Sequence, residues 1–198
     1  MERRKKGFSL LELLLVMGIV AALIVAAFIV YPKVQSYRNV KIESNNISSL
    51  KAEVSALYAS VASDLPKDAN LNSIMIQAKV IPASMRYNSL RLRNVWGGDV
   101  YVGTYNIANA VSFAIQYNHV PRDECAKLVM QTATGFEQVV VGSELPGDTG
   151  GIIKDGTGRG VVFGMGRTKN DDEVSLDVPT VIEACNKGEN AFILYKFF

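Results

Sequence analysis

Arg3-Arg4-Lys5-Lys6-Gly7-Phe8-Ser9-Leu10-Leu11-Glu12 leads into an apolar run that ends near Tyr31. From Leu13 to Tyr31 about 19 residues carry no charge, roughly 29 Å of helix, which matches the hydrocarbon thickness of a bilayer. The basic cluster is expected to hold the preceding end in the cytoplasm. One acid, Glu12, stands just inside the apolar zone, where an unpaired carboxylate costs on the order of a few kcal/mol. That residue separates the readings of this segment.

The basic character of the chain belongs to its first residues. Met1–Gly7 hold four of the 21 basic groups and one of the 19 acidic ones, so the remainder has 17 against 18 and the formal charge moves from +2 to −1. No argument for nucleic-acid binding rests on net charge. After the apolar run about 165 residues remain, enough for one domain with its own core. Two cysteines, Cys125 and Cys185, make one disulfide available, and an exported chain enters an oxidising compartment that favours it. Two unpaired buried thiols are the alternative.

Three readings compete for the N-terminus. A secretory signal peptide would use Val25-Ala26-Ala27 as its cleavage site before Phe28. A permanent signal anchor would display a periplasmic enzyme or binding domain. Neither has a use for Glu12. In the third reading the chain is cut between Gly7 and Phe8 and the apolar segment stays on the mature protein. The cut creates an α-amine at Phe8, four residues before Glu12, and so supplies an opposite charge for the carboxylate. Pairing with the Phe8 amine of a neighbouring subunit would make Glu12 a registration device, left unmatched unless the next subunit docks at the right axial offset.

Gly7-Phe8-Ser9-Leu10-Leu11-Glu12 followed by Leu13-Leu14-Leu15-Val16-Met17-Gly18-Ile19 resembles the class III signal of type IV prepilins and related pseudopilins. The resemblance implies cleavage after Gly7 by a prepilin peptidase, N-methylation of Phe8, and a subunit-assembly role for Glu12 and Phe8. A weaker similarity, to type IVb pilins, runs through Val111-Ser112-Phe113-Ala114-Ile115, Val120 and Cys125-Ala126-Lys127-Leu128, with the second cysteine about 60 residues on. It implies a C-terminal region bounded by a Cys125–Cys185 disulfide. The short leader and Phe8 as first mature residue depart from that group and are more usual in type IVa pilins.

The helical pattern continues past the apolar zone. Pro32 and the polar patch Lys33, Gln35, Ser36, Arg38 and Asn39 mark the exit. Ile47, Leu50, Val54, Leu57, Tyr58 and Val61 then recur at spacings of three and four. One helix from about Ser9 to Ala62 is expected, ended by Asp64-Leu65-Pro66-Lys67-Asp68. Its length alone favours an assembly component. Leu71–Val80 reads as a shorter helix. Ser89–Val95, Val100–Asn106, Ala110–Tyr117, Phe136–Val141 and Ala191–Phe198 read as strands, with two short β-branched runs, Gly151–Ile153 and Val161–Phe163, inside a glycine-rich tract. Pro121–Thr132 and the stretch from Asp177 through Asn186 read as helices opened by proline and acidic residues. The fold class is α+β, with an antiparallel-rich sheet packed on the long helix, as the resemblance to type IV pilins also implies. The expected division is a leader over 1–7, a transmembrane and filament-core half-helix over 8–32, and a periplasmic head over 33–198.

Catalytic chemistry finds little support. The tract Gly147-Asp148-Thr149-Gly150-Gly151 and the run Asp155–Gly160 lack the Gly-Lys-Ser/Thr of a phosphate loop. Asn170-Asp171-Asp172-Glu173 lacks the ligand spacing of an EF-hand and reads as a solvated acidic loop. His119 is the only histidine, so a zinc site is not expected, and Asn118-His119-Val120-Pro121 reads as a loop entering a helix. Trp96, Tyr101 and Tyr105 read as core or rim aromatics rather than a sugar patch. No catalytic residue, metal or cofactor is expected. The expected product is a structural subunit, stored in the inner membrane with a periplasmic head and then polymerised into an extracellular pilus of a Gram-negative bacterium. Its partners would be other copies of itself in a helical homopolymer, the prepilin peptidase, the inner-membrane assembly platform, and a surface receptor of unknown identity. The rivals are a minor pilin or type II secretion pseudopilin and, in a different class, an anchored or secreted periplasmic enzyme.

Overall fold

The uncharged run and the stripe beginning near Ile47 belong to one helix. In the computed structural model, which describes residues 9–59, 69–107, 110–143, 160–164 and 173–197, α1 spans Leu10–Tyr58. It carries Pro32 internally, where one backbone hydrogen bond is forfeited without ending the element. The chain divides into two compact units, Met1–Arg38 and Asn39–Phe198. In the first unit no described side chain is buried. In the second, Val40, Glu43, Asn46, Ile47, Leu50 and Val54 of α1 are buried, a stripe at helical spacing.

The second unit is an α+β head. Its elements are α2 (Asn72–Gln77), a 3-10 turn (Ala83–Met85), β1 (Leu92–Arg93), β2 (Asp99–Ile107), β3 (Ala110–Pro121), α3 (Arg122–Thr132), a second 3-10 turn (Ala133–Gly135), β4 (Gln138–Ser143), β5 (Gly160–Gly164), β6 (Glu173–Val174), α4 (Val178–Cys185) and β7 (Asn190–Phe197). Among the described residues these strands form one sheet of order β1-β2-β3-β7-β4-β5-β6, antiparallel except for β5 with β6. The last strand therefore lies at the middle, paired with β3 on one side and β4 on the other.

β7 reads Asn-Ala-Phe-Ile-Leu-Tyr-Lys-Phe, nearly continuous in apolar residues, as a strand buried on both faces must be. Alternate residues serve two cores. Ala191, Ile193, Tyr195 and Phe197 join the main core with Ile47, Leu50 and Val54 of α1, and Phe192 and Leu194 join Ala114, Val140 and Val162 on the opposite face. Aromatic rings close the first of these cores: Tyr58 of α1 lies 5.4 Å from Phe113, and Phe136 lies 4.8 Å from Tyr195. Lys51 of α1 donates to the Gly135 carbonyl, with its ammonium 5.0 Å from the Phe136 ring centre.

Several local readings are corrected by side-chain turns. The strand expected over Ser89–Val95 shrinks to Leu92–Arg93 because asparagines at both ends capture the backbone. Asn88 accepts from the N–H groups of Leu90 and Arg91, and Asn94 accepts from those of Trp96 and Gly98. His119 is not in a loop entering a helix. Strand β3 continues through Pro121, with a bulge between Tyr117 and Val120 where His119 takes φ 59°. β6 pairs through Glu173, at the end of the expected acidic loop, whose residues 170–172 lie outside the described set, as do Gly151–Ile153. The helix from Leu71 contracts to Asn72–Gln77, and Lys79 turns the chain at φ 60°. α4 starts where expected, with Asp177 accepting from the Thr180 N–H at 3.0 Å, a bond that holds its carboxyl below the ordinary value.

The bulge and the β1–β2 turn lock together at Gly98. A Cβ there would sit 2.0 Å from the Asn118 carbonyl oxygen, which also accepts from Asn94 Nδ2 at 2.7 Å. Gly98→Ala must push strand β3 away from this turn and should cost about 1–3 kcal/mol. Denaturant unfolding followed by the single tryptophan, Trp96, would measure it, and an unchanged midpoint would show that the close approach is not needed.

Candidate functional site

Among the described residues of the first unit, the chemical feature is an exposed apolar helix. The most apolar 18-residue window of α1 is wholly exposed. Each large side chain there forgoes about 1.5–3 kcal/mol of burial, which lipid or another protein surface would restore. Glu12 lies in the first turn of this helix, which begins with the Leu13 N–H donating to the Ser9 carbonyl at 3.1 Å. There the carboxylate faces the positive end of the helix dipole. Gly7 and Phe8 lie outside the described residues.

In the head, α3 and α4 bring the two cysteines together. Cys125 and Cys185 are bonded, with Cα atoms 5.9 Å apart across 60 residues of sequence. Both are buried on the inward faces of their helices, with Leu128 and Val129 of α3 and Val181 and Ala184 of α4. The outward faces of the same two helices leave an apolar seam of Ala126, Met130, Val178 and Ile182, rimmed by Arg122 and Lys127. Trp96 is a rim aromatic. It packs against the core and donates its indole N–H to Glu124 of α3 at 2.6 Å.

The charged group that sequence reasoning missed is Glu43. It sits on the buried stripe of α1 at 0 % exposure, at a position three before Asn46 and four before Ile47. Its Oε1 accepts from the Val95 N–H at 2.7 Å. Its Oε2 accepts from Asn46 Nδ2 at 3.1 Å and from the Tyr117 hydroxyl at 3.0 Å. All three donors are neutral. Burial pushes the carboxyl above its ordinary value, and the three hydrogen bonds oppose that rise without cancelling it. Burial first, then the adjacent Glu43 charge, pushes Tyr117 well above the ordinary phenol value. The signal in the sequence was spacing: Val40, Glu43, Ile47, Leu50 and Val54 fall at steps of three and four, so the acid occupies a core position.

Breaking the Cys125–Cys185 bond should lower head stability by about 4 kcal/mol, the loop-closure value for a ring of this size. Chemical denaturation of the Cys125→Ala, Cys185→Ala double variant beside the oxidised parent would read this loss. Two free thiols in native material would refute the bond.

Comparison with known proteins bears on both units. The description "Prokaryotic N-terminal methylation motif" matches residues 3–28, and "PilS N terminal" matches residues 37–196. No curated protein matches the sequence. Among solved structures, TcpA, a type IV pilin from Vibrio cholerae El Tor biotype, superposes with a TM-score of 0.55 at 17% identity, covering 81% of this chain and 99% of that one. At that identity the likeness speaks for the fold.

Proposed function

We propose that this chain, which belongs to the PilS N-terminal family and is a type IV pilin precursor, is polymerised into a pilus of the type IVb group after cleavage between Gly7 and Phe8. One observation carries the reading: the methylation motif runs into an apolar helix whose described side chains are exposed. Such a helix can be stored in the inner membrane while the head stands in the periplasm. It can then exchange lipid for the apolar helices of other copies in an extracellular filament, because both surroundings meet the same requirement of excluding water from Leu, Val and Ile side chains. Type IVb membership is supported by the long disulfide-bounded region between α3 and α4 and by the TcpA-like fold.

In this reading the prepilin peptidase cuts after Gly7 and methylates Phe8. Glu12 then has a task in assembly. The amine released at Phe8 on a neighbouring subunit supplies a cation for the carboxylate, and the pair fixes the axial offset of the incoming subunit. An assembly platform in the inner membrane would move the subunit from one environment to the other.

Glu12→Ala should leave processing and membrane insertion near parental levels while reducing filament yield by at least about tenfold, the consequence of one unmatched charge pair. Quantitative electron microscopy of sheared filaments, with immunoblotting of membranes, separates the two steps. Normal filaments from this variant would remove the assembly role of Glu12. Mass spectrometry of the mature terminus tests the cleavage itself: a methylated Phe8 supports it, and a terminus at Phe28 overturns it in favour of an ordinary signal peptide.

A further inference from the structure

Glu43 is a buried acid that the proposed polymerisation through the apolar half of α1 does not use, and its surroundings suit two protonation states. The groups around it and around its tyrosine partner come from four elements. Asn46 is on α1 itself, Tyr117 comes from β3, the Val95 N–H comes from the turn after β1, and Met85 comes from the 3-10 turn. Tyr195 of β7 packs edge-on against Tyr117 at 6.4 Å and is the other titratable group that feels the carboxylate. None of these groups is a cation. The Tyr117 hydroxyl, already 3.0 Å from Glu43 Oε2, also lies 4.0 Å from Met85 Sδ, a weak acceptor on its other side.

We propose that Glu43, Tyr117 and Met85 form a proton-linked hydrogen-bond switch inside the head, in which uptake of one proton reverses the Glu43–Tyr117 bond. In the ionised state Tyr117 donates to Oε2. When a solvent proton adds to Oε2, the new O–H donates to Tyr117 Oη, and the tyrosine turns its own proton toward Met85 Sδ. One proton is taken up and no bond between heavy atoms changes. Oε1 still accepts from Val95 and Oε2 still accepts from Asn46, whose Oδ1 is held by the Ser84 hydroxyl at 3.4 Å. Neither state strands a buried donor, so the helix, the β1–β2 turn and strand β3 stay joined through the titration.

The sign follows from the environment. A charge buried among neutral donors is costly, so the folded head holds this proton more tightly than the unfolded chain does. The contribution to stability is complete below the ordinary value of 4.5 and is lost as pH rises through the higher folded value. Mild acid therefore strengthens this joint.

The test uses the full-length chain in detergent micelles. Infrared difference spectra between about pH 8 and pH 5 should show a buried carboxyl C=O band that titrates above the range of exposed glutamates, together with a change in a tyrosine C–O band. Carbon-13 labelling of glutamate should shift the carboxyl band. Glu43→Gln should abolish both bands and flatten the rise in melting temperature that accompanies acidification. If that variant does not fold, Tyr117→Phe serves in its place, moving the carboxyl band and removing the tyrosine one. A carboxylate that stays ionised down to the exposed range, or one that is protonated with no tyrosine change, overturns the switch.

Discussion

The head depends on one contact, the stripe of α1 from Val40 to Val54 laid on the inner face of the sheet. Ile47, Leu50 and Val54 share a core with β3, β4 and β7, and removing the helix would expose that entire face to water. Hydrophobic burial supplies the attraction but not the register, since apolar side chains one helical turn apart are near equivalents. Register comes from the polar members of the stripe. Glu43 meets the Tyr117 hydroxyl and the Val95 N–H, so a slip of one turn would strand a buried carboxyl and two donors, and beside the stripe Lys51 would lose the Gly135 carbonyl. This helix is thus positioned by groups that cost energy to bury.

Two of the three acids on α1, Glu12 and Glu43, meet opposite circumstances. Glu12 stands in a first turn, exposed among exposed apolar neighbours, where the helix dipole favours it but no partner side chain is present among the described residues. Glu43 is wholly enclosed and accepts three hydrogen bonds within the head. Glu43 finds three hydrogen-bond donors within the head, whereas Glu12 has none among the described residues. That contrast is the physical basis for assigning Glu12 to assembly and Glu43 to the integrity of the head.

Most of the architecture was legible because long elements have long periods. The apolar run, the stripe of α1, the β-branched strands and the Asp177-Val178-Pro179 helix start all repeat a signal over several residues. The misreadings concern single side chains acting on backbone. Asn88 and Asn94 cut β1 short, and His119 at positive φ lets β3 pass through a stretch that reads as a loop. Glu43 was missed for a different reason. An acid on a helical stripe reads as solvated until its partners are seen, and those partners, Val95 and Tyr117, lie 52 and 74 residues away in sequence. Pairing at that range leaves no periodic trace.

Topology constrains the order in which this head can become complete. β7 is the last strand in the chain and the middle strand of the sheet, bonded to β3 and β4 together. Until it is in place those two strands present unpaired edges, and the core against α1 lacks Ile193, Tyr195 and Phe197. Contacts between α1 and β7, such as Lys51 with Phe197, span most of the head's sequence, an arrangement that loop-closure entropy penalises. The Cys125–Cys185 bond acts on this problem, because it ties α4, which directly precedes β7, to α3, which directly follows β3. The crosslink shortens the effective loop that β7 must close. Its place in the chain is therefore suited to delivering the C-terminal strand as well as to holding two helices together.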